Sequence, residues 1–356
     1  MFPFDKLKYI QIEITNNCQA GCPMCPRYSN GKINPNLTIS SWTLDEYKQI
    51  FTPELINQLN TIEFCGNYGD PVTNKDLLAM CKYTVDISTT VNLVIKTNGS
   101  IRSPDWWKEL AHTLHNNSSV IFAIDGLEDT NHIYRIGTNF NKIIDNATSF
   151  INNGGNAKWD MLLFQHNEHQ VDEARNLSQQ LGFKNFFAKA SARFIESESG
   201  AMFPVKDKDG NLLYTLKPYT HNVIKFHDKN ADYQQLLEAS VITCRSKANQ
   251  ELYIDSNKHL FPCCFTSKAL YDVHTGNDFT AVIKSKVYEQ FKSLIDEIGG
   301  LETIDAYKHG VKNILSTDTW QTFIQPRWEN PNKLMICATS CDNVQIDEYS
   351  DKVLNV

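Results

Sequence analysis

Along the first 190 residues the apolar positions fall into two alternating patterns. Six short runs, YIQIEI (9–14), TIEFC (61–65), NLVIK (92–96), VIFAI (120–124), WDMLLF (159–164) and KNFFA (184–188), have the length and the β-branched or aromatic content of strands. Between them, apolar residues return at helical spacing. TLDEYKQI opens with Thr43 and Glu46 in capping-box register. SPDWWKELAHTLHNN offers Ser103 as a cap, Pro104 at the first helical position, and Trp107, Leu110, Ala111 and Leu114 on one face. Residues 140–155 repeat Phe140, Ile143, Ile144, Ala147 and Ile151 before stopping at glycines, and Val171, Ala174, Leu177 and Leu181 stripe a helix that ends at Gly182. These stripes are core positions.

Strands separated by helices predict a parallel sheet with right-handed crossovers, an α/β fold whose chemistry collects at the carboxyl ends of the strands. Periodicity alone does not decide whether such a sheet stays open or curls into a partial barrel. The pattern weakens over 191–242, where KDKDGN and HDKNADYQQ read as polar turns, so a linker or inserted lobe is expected there. A second unit occupies 243–356 and includes an amphipathic helix near 279–298, closed by Gly299 and Gly300.

Composition narrows the function. The 356 residues are 41% hydrophobic and 21% charged, as in an ordinary globular chain, and the net charge of -7 argues against a partner that is mostly phosphate backbone. No nucleic-acid partner is expected. No run approaches the roughly 18 consecutive apolar residues of a spanning helix, so no membrane partner is expected. The N-terminal MFPFDKLKYI lacks the layout of an export signal, which makes a cytoplasmic location the expectation. In a reducing compartment, ten cysteines are better explained by metal than by disulfides.

Three of them, Cys18, Cys22 and Cys25, follow the first strand in C-x3-C-x2-C spacing. Structural zinc sites close with four protein ligands, and the nearest later candidate, Cys65, sits on another strand. A cubane iron–sulfur cluster held by three thiolates keeps one iron open for an exchangeable ligand. With FCGNYGDP at the end of the second strand, this spacing resembles the radical S-adenosylmethionine superfamily. The resemblance covers roughly residues 8–190 and implies a partial (β/α)6 TIM-like barrel in residues 1–190. It also implies a cluster whose open iron chelates S-adenosylmethionine, and a 5'-deoxyadenosyl radical that abstracts hydrogen from substrate. Gly69, Asp70 and Pro71 resemble the turn that receives the cofactor's amino group, with aspartate in place of the family's longer glutamate. KTNG (96–99) and AIDG (123–126) resemble the strand ends that contact ribose. Ala123 stands where many relatives carry serine, which leaves Thr97, Asn98, Asp125 or backbone for that contact. HIYRIG resembles the segment whose arginine pairs the cofactor carboxylate, nominating Arg135. Met24 precedes the third cysteine, where an aromatic is common.

The rear cysteines are Cys244, Cys263, Cys264, Cys337 and Cys341. ELYID and HLF read as a compact hairpin around SNK that brings Cys244 near Cys263, and four thiolates so gathered suit zinc or an iron–sulfur cluster equally. The region resembles the C-terminal extensions of the SPASM and twitch group. Its cysteines are too few for the full SPASM form, so the resemblance implies the twitch form with one auxiliary 4Fe-4S cluster. The implied ligands are Cys244, Cys263, Cys337 and Cys341, with Cys264 as a neighbour or substitute. Lys258 stands where a glycine is usual.

These features point to a radical enzyme acting on a peptide or small polar substrate. Its expected outcome is oxidative, with electrons leaving through the auxiliary cluster and entering from a reducing protein such as flavodoxin or ferredoxin. A redox-neutral epimerase is the alternative, with Cys65 as a hydrogen-atom donor. A non-catalytic iron–sulfur carrier or a zinc-stabilised binding protein is a reading from another class.

Overall fold

The computed structural model describes residues 1–29, 31–115, 117–191, 194, 202–220, 237–271, 279–323, 325–329 and 332–341. Each of the six anticipated strands forms: β1 (Tyr9–Ile12), β2 (Thr61–Phe64), β3 (Asn92–Thr97), β4 (Ser119–Ala123), β5 (Ala157–Leu163) and β6 (Asn185–Ala190). They run parallel, each hydrogen-bonded to the next in chain order. Helices α1 (Leu44–Ile50), α2 (Pro53–Gln58), α3 (Leu77–Ile87), α4 (Pro104–Thr113), α5 (Asn131–Tyr134), α6 (Phe140–Asn152) and α7 (Val171–Leu181) connect them. This is a partial (β/α)6 barrel.

The local signals work as the sequence implies. Thr43 and Glu46 complete a reciprocal capping box on α1. The Ser103 hydroxyl accepts from Trp106 N ahead of Pro104. Gly182 ends α7 with φ 88°, a left-handed cap that glycine adopts without strain. One face of every strand packs on the helices. Ile10, Ile12, Ile62, Phe64, Leu93 and Ile95 are fully buried there, joined by Trp107, Phe122, Phe150 and Trp159. Trp107 lies 5.1 Å from the Phe122 ring, locking α4 to β4.

Within 202–220 a hairpin forms from β7 (Phe203–Lys206) and β8 (Leu212–Leu216), turning at KDKDGN. The rear hairpin also forms, as antiparallel β9 (Glu251–Ile254) and β10 (Leu260–Phe261). It does not stand apart. β9 pairs in parallel with β1, Tyr9 opposite Glu251 and Ile12 opposite Ile254, making a sheet of order β10-β9-β1-β2-β3-β4-β5-β6. Its turn is tied to the barrel, because Ser256 O accepts from Trp42 Nε1 (2.9 Å) and Ser40 Oγ (2.7 Å). The remaining helices are α8 (Arg245–Asn249), α9 (Cys264–Tyr271), α10 (Phe279–Glu297), α11 (Ala306–His309), α12 (Val311–Leu315), α13 (Asp318–Thr322) and α14 (Met335–Ser340). No helix among the described residues is long and apolar enough to cross a membrane.

Candidate functional site

The loop after β1 is framed before it reaches the cysteines. Asn16 bridges it to the following segment through Thr38 O (2.7 Å) and Ser40 N (2.8 Å), and Arg27 Nη1 donates to Asn16 O from the far side. Within that frame the sulfurs of Cys18, Cys22 and Cys25 lie close enough to feel one another's charge. Burial, then Asp70, pushes the Cys18 thiol up to about 12. Burial pushes Cys22 to about 11 against the lowering influence of Arg135. Thiolates held in so dry a place require a cation to ionise. Cys18 Sγ also accepts from Ala20 N at 3.4 Å and Asn98 Nδ2 at 3.8 Å. Met24 packs in the same apolar cluster as the three cysteines, with Tyr134 and Phe164.

Among the described residues, no three His, Cys, Asp or Glu side chains close around one point as a single metal ion demands. A cubane asks for a different arrangement, since each thiolate binds a different iron. The Cys18 and Cys22 sulfurs, sheltered and each approached by N–H donors, suit such an arrangement.

The turns named from the sequence stand around this loop. Gly69 abuts its start: a Cβ there would fall 2.2 Å from Thr15 O. Asp70 N donates to Asn17 O at 2.8 Å. The Asp70 side chain is fully engaged, Oδ1 accepting from Val72 N (3.0 Å) and Oδ2 from Thr97 Oγ1 (3.0 Å), Asn98 N (2.8 Å) and Asn98 Nδ2 (2.5 Å). It therefore staples the end of β2 to the end of β3. Arg135 follows α5, donates from Nε to Asp125 Oδ2 at 2.6 Å and points Nη1 at Cys22 Sγ, 3.9 Å away. Asp125 is fully buried, and its Oδ1 accepts from Leu162 N at 2.7 Å. Its negative charge holds the Arg135 guanidinium well above its ordinary value despite burial.

Backbone hydrogen bonds bring three of the rear cysteines near one another. Cys337 and Cys341 lie one helical turn apart on and after α14, and Cys341 O accepts from Thr243 N (2.8 Å), beside Cys244. The Cys337 thiol is raised by burial and then by the nearby Cys263, Cys341 and Cys244. Cys244 caps α8, its sulfur accepting from Lys247 N at 3.4 Å. The Cys264 thiol is raised by burial, with Lys268, Glu251, Lys96 and Glu63 as the charges that act on it, and it in turn raises Cys263. Lys258 takes φ 75°, the conformation that favours glycine, and pairs with Glu46 at 2.9 Å.

Several residues escaped the sequence reading. The inward faces of the strands are polar. Glu63 accepts from Tyr9 OH (2.7 Å), Gln11 Nε2 (3.2 Å) and Lys96 Nζ (2.8 Å), and Lys189 pairs with Asp160 across β5 and β6. Cys65 sits among them, buried, with its thiol raised by burial and by Glu13, Glu63 and Cys264. Gln19 holds Asn98 Oδ1 at 2.6 Å from inside the cysteine loop. Alternation in YIQIEI, with Tyr9, Gln11 and Glu13 on one face, was the available signal. Outside the lumen, between β8 and the loops after β4 and β5, a cavity of about 690 Å³ is lined by His132, Ile136, Gln165, His166, Tyr214 and Lys217 among others.

The parallel partial barrel has counterparts among solved structures, which share its fold. SuiB from Streptococcus suis bound to precursor peptide SuiA is similar to this chain with a TM-score of 0.55 at 15% identity, over 100% of this chain and 75% of that one. Native anSMEcpe with bound AdoMet gives 0.52 at 13% identity, over 97% and 92%. Against another crystal structure of SuiB the chain spans 64% of that protein's length. No family model and no curated protein matches the sequence.

Proposed function

We propose that this chain is a radical S-adenosylmethionine enzyme. Residues 1–190 form its catalytic barrel, and 191–242 link them to an auxiliary-cluster unit in 243–356. Cys18, Cys22 and Cys25 would hold a four-iron cluster with one iron free of protein. When bound, that cluster supplies the electron that splits S-adenosylmethionine into methionine and a hydrogen-abstracting 5'-deoxyadenosyl radical. The chain's own residues bind and orient. Backbone at Gly69 and Asp70 receives the amino group, since the Asp70 carboxylate is already occupied by β3. Arg135, steadied by Asp125, meets the cofactor carboxylate at the edge of the cysteine loop. Thr97, Asn98 and Asp125 line the ribose side, and Met24 packs beside them.

The observation that carries this reading is the gathering of the front sulfurs against two buried carboxylates, Asp70 and Asp125, that fix successive strand ends. Anaerobic iron reconstitution, chemical reduction and addition of S-adenosylmethionine should yield 5'-deoxyadenosine. Any one of Cys18→Ala, Cys22→Ala or Cys25→Ala should abolish it. A wild-type chain with full iron and no such product would leave an electron carrier as the better description.

Cys244, Cys263, Cys337 and Cys341 would hold an auxiliary 4Fe-4S cluster that takes up electrons from the substrate radical, giving an oxidative outcome. A reducing protein such as flavodoxin or ferredoxin would supply the front. A peptide substrate is favoured over a small molecule by the likeness to SuiB, whose structure contains its precursor peptide. The polar lumen suits a polar reacting residue in either case. The position of Cys65 in that lumen favours one second reading, a redox-neutral epimerase. In that case Cys65→Ala would lose product while retaining 5'-deoxyadenosine formation.

A further inference from the structure

Glu13 has no role in the scheme above, yet its placement is exacting. It directly follows β1 and is fully buried. Its two oxygens act only as acceptors. Oε1 takes the backbone N–H groups of Tyr68 (2.5 Å) and Gly69 (2.9 Å), and Oε2 takes the Tyr253 hydroxyl (2.9 Å). Two of these donors belong to the turn that carries Gly69 and Asp70. The third comes from β9, some 240 residues along the chain. The same turn touches the rear segment again through the rings of Tyr68 and Tyr271, 5.9 Å apart and edge to face. Tyr271 in turn donates to Asp255 at 2.7 Å.

A backbone that receives an amino group must present its carbonyls in one orientation. That orientation is set by where its N–H groups point, because peptide planes are rigid. Each N–H shares its plane with the carbonyl of the preceding residue. By holding the Tyr68 and Gly69 N–H groups on one oxygen, Glu13 fixes the carbonyls of Asn67 and Tyr68, which lead into Gly69. A buried N–H left without an acceptor forces the peptide to move. We propose that Glu13 is the positioning residue that fixes the Tyr68 end of the turn and thereby the approach of the chain to the cofactor's amino-group seat at Gly69 and Asp70. Tyr253 orients Glu13, so the front seat depends on the C-terminal strand as well as on the barrel. The inference rests on the reading that this turn receives S-adenosylmethionine.

The charge state of Glu13 gives a readout that a purely structural residue would lack. Burial pushes its carboxyl up to about 7, partly opposed by its three hydrogen bonds. The titratable groups facing it are Tyr253 and Asp255 from β9 and its turn, Cys65 from the end of β2, and Tyr271 from α9. Ionised, Glu13 accepts from all three donors. Protonated, one oxygen becomes a donor and competes for a partner.

The test is equilibrium dialysis of S-adenosylmethionine against anaerobically reconstituted full-length protein, with iron content and visible spectrum measured on each variant. Glu13→Ala should weaken binding at least tenfold at equal iron content, and Tyr253→Phe by a smaller factor. Glu13→Gln mimics the protonated carboxyl, with one oxygen that accepts and one group that donates, and should bind at pH 8 as weakly as wild type does at pH 6. Wild-type affinity should fall as pH drops through 7, and that of Glu13→Gln should stay flat. If Glu13→Ala does not take up iron, Tyr253→Phe and the pH profiles decide. Wild-type binding that is unchanged in every variant, or that is independent of pH between 6 and 8, overturns the inference while leaving the enzyme reading intact. Failure of the wild type itself to bind removes the enzyme reading and the inference with it.

Discussion

Two buried carboxylates show how single residues set the terms of this site. Asp125 is fully buried, and its cationic partner is Arg135, itself only 17% exposed. Neutralising one member of such a pair strands the other charge in a dry environment, at a cost of roughly 3–5 kcal/mol. Asp125→Asn should lower unfolding free energy by about that amount in metal-free protein, measured by urea denaturation. A loss below about 1 kcal/mol would mean the pair is well solvated. Glu13 acts through its titration. Its folded value of about 7 lies above the ordinary carboxyl range, so between pH 4.5 and 7 the folded chain holds a proton that the unfolded chain has released. The associated stability is complete below pH 4.5 and lost as pH rises through 7, amounting to about 3 kcal/mol. Glu13→Gln should remove that slope from a pH series of denaturation midpoints. Neither carboxylate announced this behaviour in the sequence. Asp125 belonged to an ordinary Asp-Gly turn and Glu13 to an apolar run; burial and partners, which distinguish them, arise only when the sheet closes.

At the scale of elements, the six strands and their helices were legible because each has one face that packs and one that does not. Boundaries moved by only a residue or three; WDMLLF, for example, begins two residues earlier at Ala157. What periodicity could not reveal is partnership. ELYID was recognisable as a strand, but its pairing with β1 depends on contacts spanning some 240 residues, which leave no mark on local spacing. The polar lumen was hidden for a related reason. Glu63 and Lys96 each look like a surface charge until the strands curl and bring them to 2.8 Å. The pairing of β9 carries a prediction. It satisfies the outer edge of β1 through Lys8 N and Tyr9 N to Gln250 O and Glu13 N to Ile254 O. A chain ending at residue 242 would expose that edge beside Ile10 and Ile12, an invitation to intermolecular pairing. It should elute as soluble aggregate in size-exclusion chromatography, and a monodisperse monomer would refute the dependence.

At the scale of the whole molecule, the front and rear segments of the chain meet in a shared framework. The front cysteines follow β1, the rear ones lie beside α8, β10 and α14, and Glu13, Tyr253, Tyr68 and Tyr271 join the front turn to the rear segment. Cysteine spacing singled out the front group, because three thiols within eight residues leave the chain little freedom to separate them. The rear group was harder, since Cys263 and Cys337 are separated by helices whose packing decides whether they meet. If the rear sulfurs hold a cluster of their own, removing two of them should separate the two sites chemically. Cys337→Ser with Cys341→Ser should lose roughly half of the iron bound after anaerobic reconstitution. Formation of 5'-deoxyadenosine should persist, because none of the front residues changes, while substrate oxidation fails for want of an electron acceptor. Unchanged iron in that double variant would mean the rear sulfurs form no cluster. Loss of all iron would mean instead that the shared framework, rather than either cysteine group alone, holds both sites together.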